Sequence, residues 1–281
     1  MRIGSIAGRL VLVTGGRALD VEAASNARFA PDPQAVYERW DEFVDWAATA
    51  DTVSAEDFTE DQLDAPVPRP RQVFAIGLNY AEHAREGHFD LPSDPVVFTK
   101  FQSSIAAPNT DIELPSENTD YEVELVVVIG KPGYRIPVEE GWDHVAGLTI
   151  GQDISEREVQ RRGPAPQYSL GKSYPNFAPI GPLVVTLGEF ADRDAIGVKT
   201  ELESGGETIV KQDGNTSDLI FSVPELVSRL SQSLHLYAGD IIFTGTPSGV
   251  GMGKTPPDYL KKGETLVSSI EGIGSIRNRL V

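Results

Sequence analysis

The chain has 281 residues, 40% of them hydrophobic and 23% charged, the composition of a folded globular protein. It contains no cysteine, which excludes disulfides, thiolate zinc sites and a cysteine nucleophile. A formal net charge of -18 leaves no basic excess to neutralise phosphates, and no apolar run approaches a signal-peptide core or the roughly 20 residues of a membrane span. The expectation is a cytoplasmic protein that binds neither nucleic acid nor membrane.

Residues 1 to about 16 read as two short strands ending at Gly15-Gly16. In "DPQAVYERWDEFVDWAATA" the spacing of Val36, Trp40, Phe43 and Ala47 predicts a helix, with Asp32 as N-cap and Pro33 at its first position. The proline-rich stretch "DAPVPRPRQ", 64 to 72, breaks both periodicities and marks a boundary between a small N-terminal α+β domain, 1–66, and a larger domain, 67–281. The second domain begins with a strand at Val73–Ile76, a short helix at "YAEHARE" and a strand at "PVVFTKF". A strand in "DYEVELVVVIG", a helical turn near "VEEGWDHV" and a strand in "AGLTIGQDI" follow. Beyond a brief helix in "SEREVQRRG", "VKTELESGGETIVKQ" predicts a hairpin turning at Gly205-Gly206. "SVPELVSRLSQSL" predicts a helix with a Ser222/Glu225 capping box, and the closing segments are rich in strand and glycine. Many strands with few, short, irregularly placed helices describe an α+β fold and not a doubly wound sheet.

In "DYEVELVVVIG", Glu122 and Glu124 share one strand face, which continues as Val126 and Val128, while Val123, Leu125, Val127 and Ile129 take the other. Two same-face glutamates ordinarily mark a wet face; here the face turns apolar, which weighs against that reading and would leave both acids aimed into an interior. Buried carboxylates are costly unless paired or bound to a metal. A third acid, Asp153, ends the apolar strand "GLTIGQD". Three carboxylates without cysteine, and without histidine at ligand spacing, select a hard cation: magnesium, manganese or calcium.

His83 and Glu86 stand three residues apart on a predicted helix. A carboxylate beside an imidazole fixes its tautomer and raises its basicity, which suits a general base, although a surface ion pair would have the same spacing. His88, His144 and His235 have no such company and read as ordinary surface or packing residues. Lys172, in "SLGKSYPNF", is flanked by glycine and small polar residues and could reach a ligand. "TGTPSGVGMGKT" is not a phosphate loop: Ser248 stands where the first glycine belongs, and Pro256-Pro257 oppose the helix that should follow. A glycine-rich loop after a strand can instead bring backbone amides and Thr246 close to an anion.

In chain order, "GLNYAEHARE", "DYEVELVVVIG", "GQDISERE", "GKS", "APIGPLVV", "GDIIFTGTPSGVG" and "IEGIG" resemble the fumarylacetoacetate hydrolase family over about 72 to 281. The resemblance implies a mixed β-roll catalytic domain, a homodimer, and magnesium or manganese held by Glu122, Glu124 and Asp153. It also implies that His83 with Glu86 lies on a mobile lid and activates water, and that Arg157, Gln160, Lys172 and Thr246 hold the carboxylate and oxo groups of a small anionic oxo acid. Departures from the family pattern are Gln152 before Asp153, where asparagine is common, Ala238 before Gly239-Asp240, where proline is frequent, and "SGGE" at the hairpin. The expected activity is metal-dependent hydrolysis of a carbon–carbon bond in a 2,4-dioxo acid of the acylpyruvate or fumarylpyruvate type, through a metal-bound pyruvate enolate that Lys172 helps to stabilise. Oxaloacetate decarboxylation and hydroxy-diene-dioate isomerisation are the alternatives. The first 66 residues carry no readable motif.

Overall fold

The computed structural model of the chain describes residues 1–86 and 90–281. Its centre is a twelve-stranded mixed sheet. Along the main path of that sheet the order is Glu56–Asp57, Arg17–Asp20, Arg9–Thr14, Arg2–Ile6, Ala178–Val185, Val145–Gln152, Val123–Ile129, Ile241–Phe243, Val73–Gly77 and Val96–Thr99. A four-stranded antiparallel sheet, Glu207–Asn215, Gly197–Ser204, Thr265–Ile270 and Gly274–Arg279, packs on one face of it. The predicted hairpin turns at Gly205 and Gly206, whose φ values of 59° and 87° a Cβ would disfavour. The strand-rich α+β roll expected from the sequence is the fold observed.

The strand Val123–Ile129 is buried along its whole length, and its two faces feed two different cores. Val123, Leu125, Val127 and Ile129 pack with Val198, Ile270 and Ile276 of the four-stranded sheet and with Leu226 and Leu230 of the helix Val223–Ser233. Val126 and Val128 pack with Tyr37 and Phe43 from the N-terminal segment. That segment therefore extends the large sheet through Arg2–Ile6, which pairs with Ala178–Val185, and also covers the sheet's second face.

The N-terminal helix starts later than its sequence predicts. A 3-10 turn spans Ala35–Arg39 and the α-helix runs Trp40–Ala47. Asp32 Oδ1 accepts from the Gln34 N–H at 3.0 Å, which closes a local turn where a helix cap was expected, and its carboxylate also binds Arg69 at 2.6 Å. The apolar stripe survives the shift: Val36 and Phe43 are buried, with Trp40 and Ala47 packed beside them. A third early strand, Arg17–Asp20, follows the two expected ones. Among the described residues no helix is long and apolar enough to cross a membrane.

Candidate active site

Antiparallel register assembles the three acids. Val123 faces Gln152 and Glu124 faces Gly151, so Glu122 and Glu124 straddle the end of the neighbouring strand. Asp153, the next residue on that strand, donates its N–H to the Glu122 carbonyl at 2.8 Å. One oxygen from each of Glu122, Glu124 and Asp153 lies within 4.8 Å of the others, and all three residues are buried. Gln152, the departure from the family pattern, fixes this corner. Its Oε1 accepts from the Glu122 N–H at 2.9 Å, and its Nε2 donates to Ser268 at 2.8 Å and Thr200 at 3.3 Å.

Three cations penetrate the same interior. Lys172 Nζ lies 2.7 Å from Glu122, 2.5 Å from Asp153 and 2.8 Å from the Ser155 hydroxyl. Lys100 is fully buried; its Nζ donates to Asp153 Oδ1 at 2.6 Å and to the Lys172 carbonyl. Arg157 donates through Nε to Asp120 at 2.9 Å, and its Nη1 contacts Glu122 at 2.7 Å. Asp120 also accepts from the N–H groups of Gly251 and Met252, tying Arg157 to the glycine-rich loop. Neither Lys100 nor Asp120 stood out in the sequence.

Four buried carboxylates, those of Asp120, Glu122, Glu124 and Asp153, thus face three cations, and one negative charge is left over. The excess settles on Glu124, whose Oε2 accepts from the Gly245 N–H at 2.7 Å and meets no cation. Burial, then the charges of Asp153 and Glu122, push the Glu124 carboxyl well above its ordinary pKa. Burial pushes Glu122 the same way, but the charges of Lys172 and Arg157 outweigh it and hold Glu122 below the ordinary range. For Lys100, burial lowers the pKa and Asp153 opposes it. For Lys172, burial lowers it too, but the charges of Asp153 and Glu122 leave it raised. A surplus negative charge on an all-oxygen donor set fits a hard divalent cation, with Glu122, Glu124 and Asp153 as its ligands.

The acids open onto a cavity of about 390 Å³ lined by Glu122, Glu124, His83, Arg157, Gln160, Lys172 and Thr246. The structure therefore brings seven of the nine sequence-predicted residues to one surface. The other two stand close behind. Asp153 is fully buried, its oxygens held by Lys100 and Lys172, and Glu86 Oε2 lies 3.4 Å from His83 Nδ1. Glu86 also accepts from the Gly249 N–H at 3.1 Å, which fixes the carboxylate beside the imidazole. Gln160 accepts from Arg157 at 3.0 Å. The Thr246 hydroxyl is already engaged, donating to the Val123 carbonyl at 2.8 Å and accepting from Gln212 at 2.7 Å. Of the other histidines, His144 is buried against the Lys131 carbonyl, His235 stacks on Tyr134, and His88 lies outside the described residues.

Further wall residues come from Leu78, Phe98, Arg161, Pro166, Tyr168 and Met252, none of which the sequence marked. Leu78 has a φ of 57°, an uncommon conformation for a non-glycine residue. Its neighbour Asn79 holds that bend by donating to the Phe221 and Thr244 carbonyls and accepting from the Phe221 N–H.

Residues 72–281 match the family profile described as fumarylacetoacetate (FAA) hydrolase C-terminal. The chain is 41% identical over 219 residues to the human mitochondrial oxaloacetate tautomerase FAHD2A, covering 77% of this chain and 68% of that protein. It is 42% identical over 228 residues to the oxaloacetate tautomerase YisK of Bacillus subtilis, covering 79% and 74%. Among solved structures, an HpcE-like protein from Mycobacterium smegmatis aligns with a TM-score of 0.95 at 47% identity over 100% of this chain and 99% of the other. A fumarylpyruvate hydrolase from Pseudomonas aeruginosa, in complex with Mn2+ and pyruvate, aligns at 0.66 and 34% identity, over 75% and 90%.

Proposed function

The chain belongs to the fumarylacetoacetate hydrolase family, and from that premise we propose that it interconverts the keto and enol forms of a small 2-oxo acid of the oxaloacetate kind. The observation that carries the reading is the placement of His83, oriented by Glu86, on the wall of the same cavity as Glu122 and Glu124. Proton transfer next to a carbonyl needs a positioned base and a place for the developing oxyanion charge. Glu122, Glu124 and Asp153 would hold a divalent cation, which when bound would supply Lewis acidity for the developing oxyanion. With Glu86 accepting from Nδ1–H, the His83 Nε2 is left as the basic atom. It takes the proton from C3 as the C2–C3 double bond forms and the C2=O π electrons move onto oxygen, and the imidazolium then returns that proton to the oxygen to give the enol. Lys172 and Arg157 place positive charge at that end of the cavity.

Tautomerisation asks the least of this geometry, and the curated relatives that are 40–43% identical include proteins named oxaloacetate tautomerase. The hydrolytic reading expected from the sequence adds a water and an acyl leaving group to the same proton transfer. The neighbour solved with Mn2+ and pyruvate, named a fumarylpyruvate hydrolase, favours keeping it second. The test is the decay of the enol absorbance of oxaloacetate in the presence of magnesium. Wild-type protein should accelerate it, and His83→Ala should lose about a hundredfold to ten-thousandfold. No acceleration, together with pyruvate release from fumarylpyruvate, would replace the first reading by the second.

A further inference from the structure

Charge around the cavity is not evenly committed. Arg157 is bound to Asp120 and Glu122, and Lys172 to Glu122 and Asp153. Arg161 also lines the cavity, one residue after Gln160, and among the described residues no carboxylate pairs with it. Its backbone is anchored at the end of the helix Arg157–Gln160, where its N–H donates to the Glu158 carbonyl at 3.2 Å. Its side chain is exposed, and among the described residues its one side-chain polar contact is weak, from Nη2 to the Met252 sulfur at 3.4 Å. The wall around it is largely apolar: Pro166, Met252, and Tyr168 standing edge-on to Phe98 at 5.6 Å. In a chain carrying -18, an uncommitted guanidinium on such a wall is a ready partner for an anionic group of the ligand.

We propose that Arg161 is the specificity-determining residue that reads a second carboxylate, making the site selective for 2-oxo dicarboxylates over 2-oxo acids with a neutral tail. The inference deepens the function proposed above and rests on its assignment of a small 2-oxo acid to this cavity. The guanidinium can meet a carboxylate through two parallel N–H donors. An apolar tail would leave that group without a partner and gain little from it.

The test compares malate with lactate, unreactive 2-hydroxy acids that differ in the second carboxylate, by calorimetric titration of the magnesium-loaded protein. Wild-type protein should bind malate about tenfold to a hundredfold more tightly than lactate, the range of a hydrogen bond to a charged group. Arg161→Met, which keeps an apolar stem, should bring the ratio close to one with lactate affinity unchanged. Arg161→Lys, which keeps the charge, should retain a ratio above that of Arg161→Met. A wild-type ratio near one, or an unchanged ratio in Arg161→Met, overturns the inference. Turnover of oxaloacetate is scored separately, so its absence would count against the proposed reaction and not against the role of Arg161.

Discussion

The uncompensated charge at Glu124 makes cation binding dependent on pH. Without the ion, the Glu124 carboxyl is pushed well above its ordinary value of 4.5, so near that pH it carries a proton that an entering cation must displace. Glu122, held low by Lys172 and Arg157, adds no proton of its own in this window. One proton displaced per ion gives about a tenfold gain in affinity per pH unit, equivalent to about 1.4 kcal/mol, until pH passes the raised pKa and the gain stops. The stability of the ion-free protein follows the opposite course. A carboxyl whose folded pKa is raised contributes stability below its unfolded pKa and loses it as pH rises through the folded one. The melting temperatures of ion-free and magnesium-loaded protein should therefore diverge as pH rises from 4.5. Magnesium titrations in two buffers of different ionisation enthalpy count the released protons directly. Glu124→Gln, which cannot hold the proton, should bind the ion more weakly and with a flatter pH response. A pH-independent affinity in the wild-type protein, with no proton released, would refute the reasoning.

Three more expectations follow from named contacts. Gln152→Leu leaves the Glu122 N–H without its partner and removes a donor from the buried hydroxyls of Ser268 and Thr200, the latter keeping its bond to Gln212. It should cost about 2–3 kcal/mol in urea unfolding, whereas an unchanged midpoint would deny Gln152 its bracing role. A Cβ at Gly253 would come within 2.3 Å of the Glu86 side chain, so Gly253→Ala should displace that carboxylate. The rate of the proposed tautomerisation should fall while magnesium affinity is kept, and a rate equal to wild type would show that Glu86 does not orient His83. The chain should assemble as a homodimer, as two-fold closure is the commonest oligomeric arrangement. Light scattering at micromolar concentration that gives 30.4 kDa, the mass of one chain, would refute this.

What the sequence disclosed was whatever a local pattern could carry. Alternation along 120 to 130 showed both faces of the strand to be buried, and hence that Glu122 and Glu124 point inward, because a strand's period of two makes a face visible in a few residues. The Ser222/Glu225 capping box and the Gly205-Gly206 turn were legible for the same reason. Lys100 was not. It follows an ordinary strand, and the partners that make its burial sustainable, Asp153 and the Lys172 carbonyl, lie 53 and 72 positions away. Asp120 carried no sequence signal either, yet its work is to join Arg157 to a loop 131 positions downstream. At Asp32 the local rule misled: a residue suited to capping a helix instead closed a turn and reached Arg69. Such pairings are set by topology, which no window of neighbouring residues records.

The leftover negative charge among Asp120, Glu122, Glu124 and Asp153 also sets an order of events. In the ion-free cavity the guanidinium of Arg157 and the ammonium of Lys172 are already bound by carboxylates, and Lys172 has spent its three donors on Glu122, Asp153 and Ser155, so an anionic ligand finds little there to hold its carboxylate and oxo oxygens. Adding a divalent ion turns one surplus negative charge into one surplus positive charge, and a cation on Glu122 and Asp153 competes for the contacts that occupy Lys172. If the proposed reaction holds, occupancy should be sequential: ion first, oxo acid second, with the ion the last to leave. Oxalate titrated into chelator-treated protein should give no binding heat, and in steady-state kinetics magnesium should behave as the obligatory leading reactant.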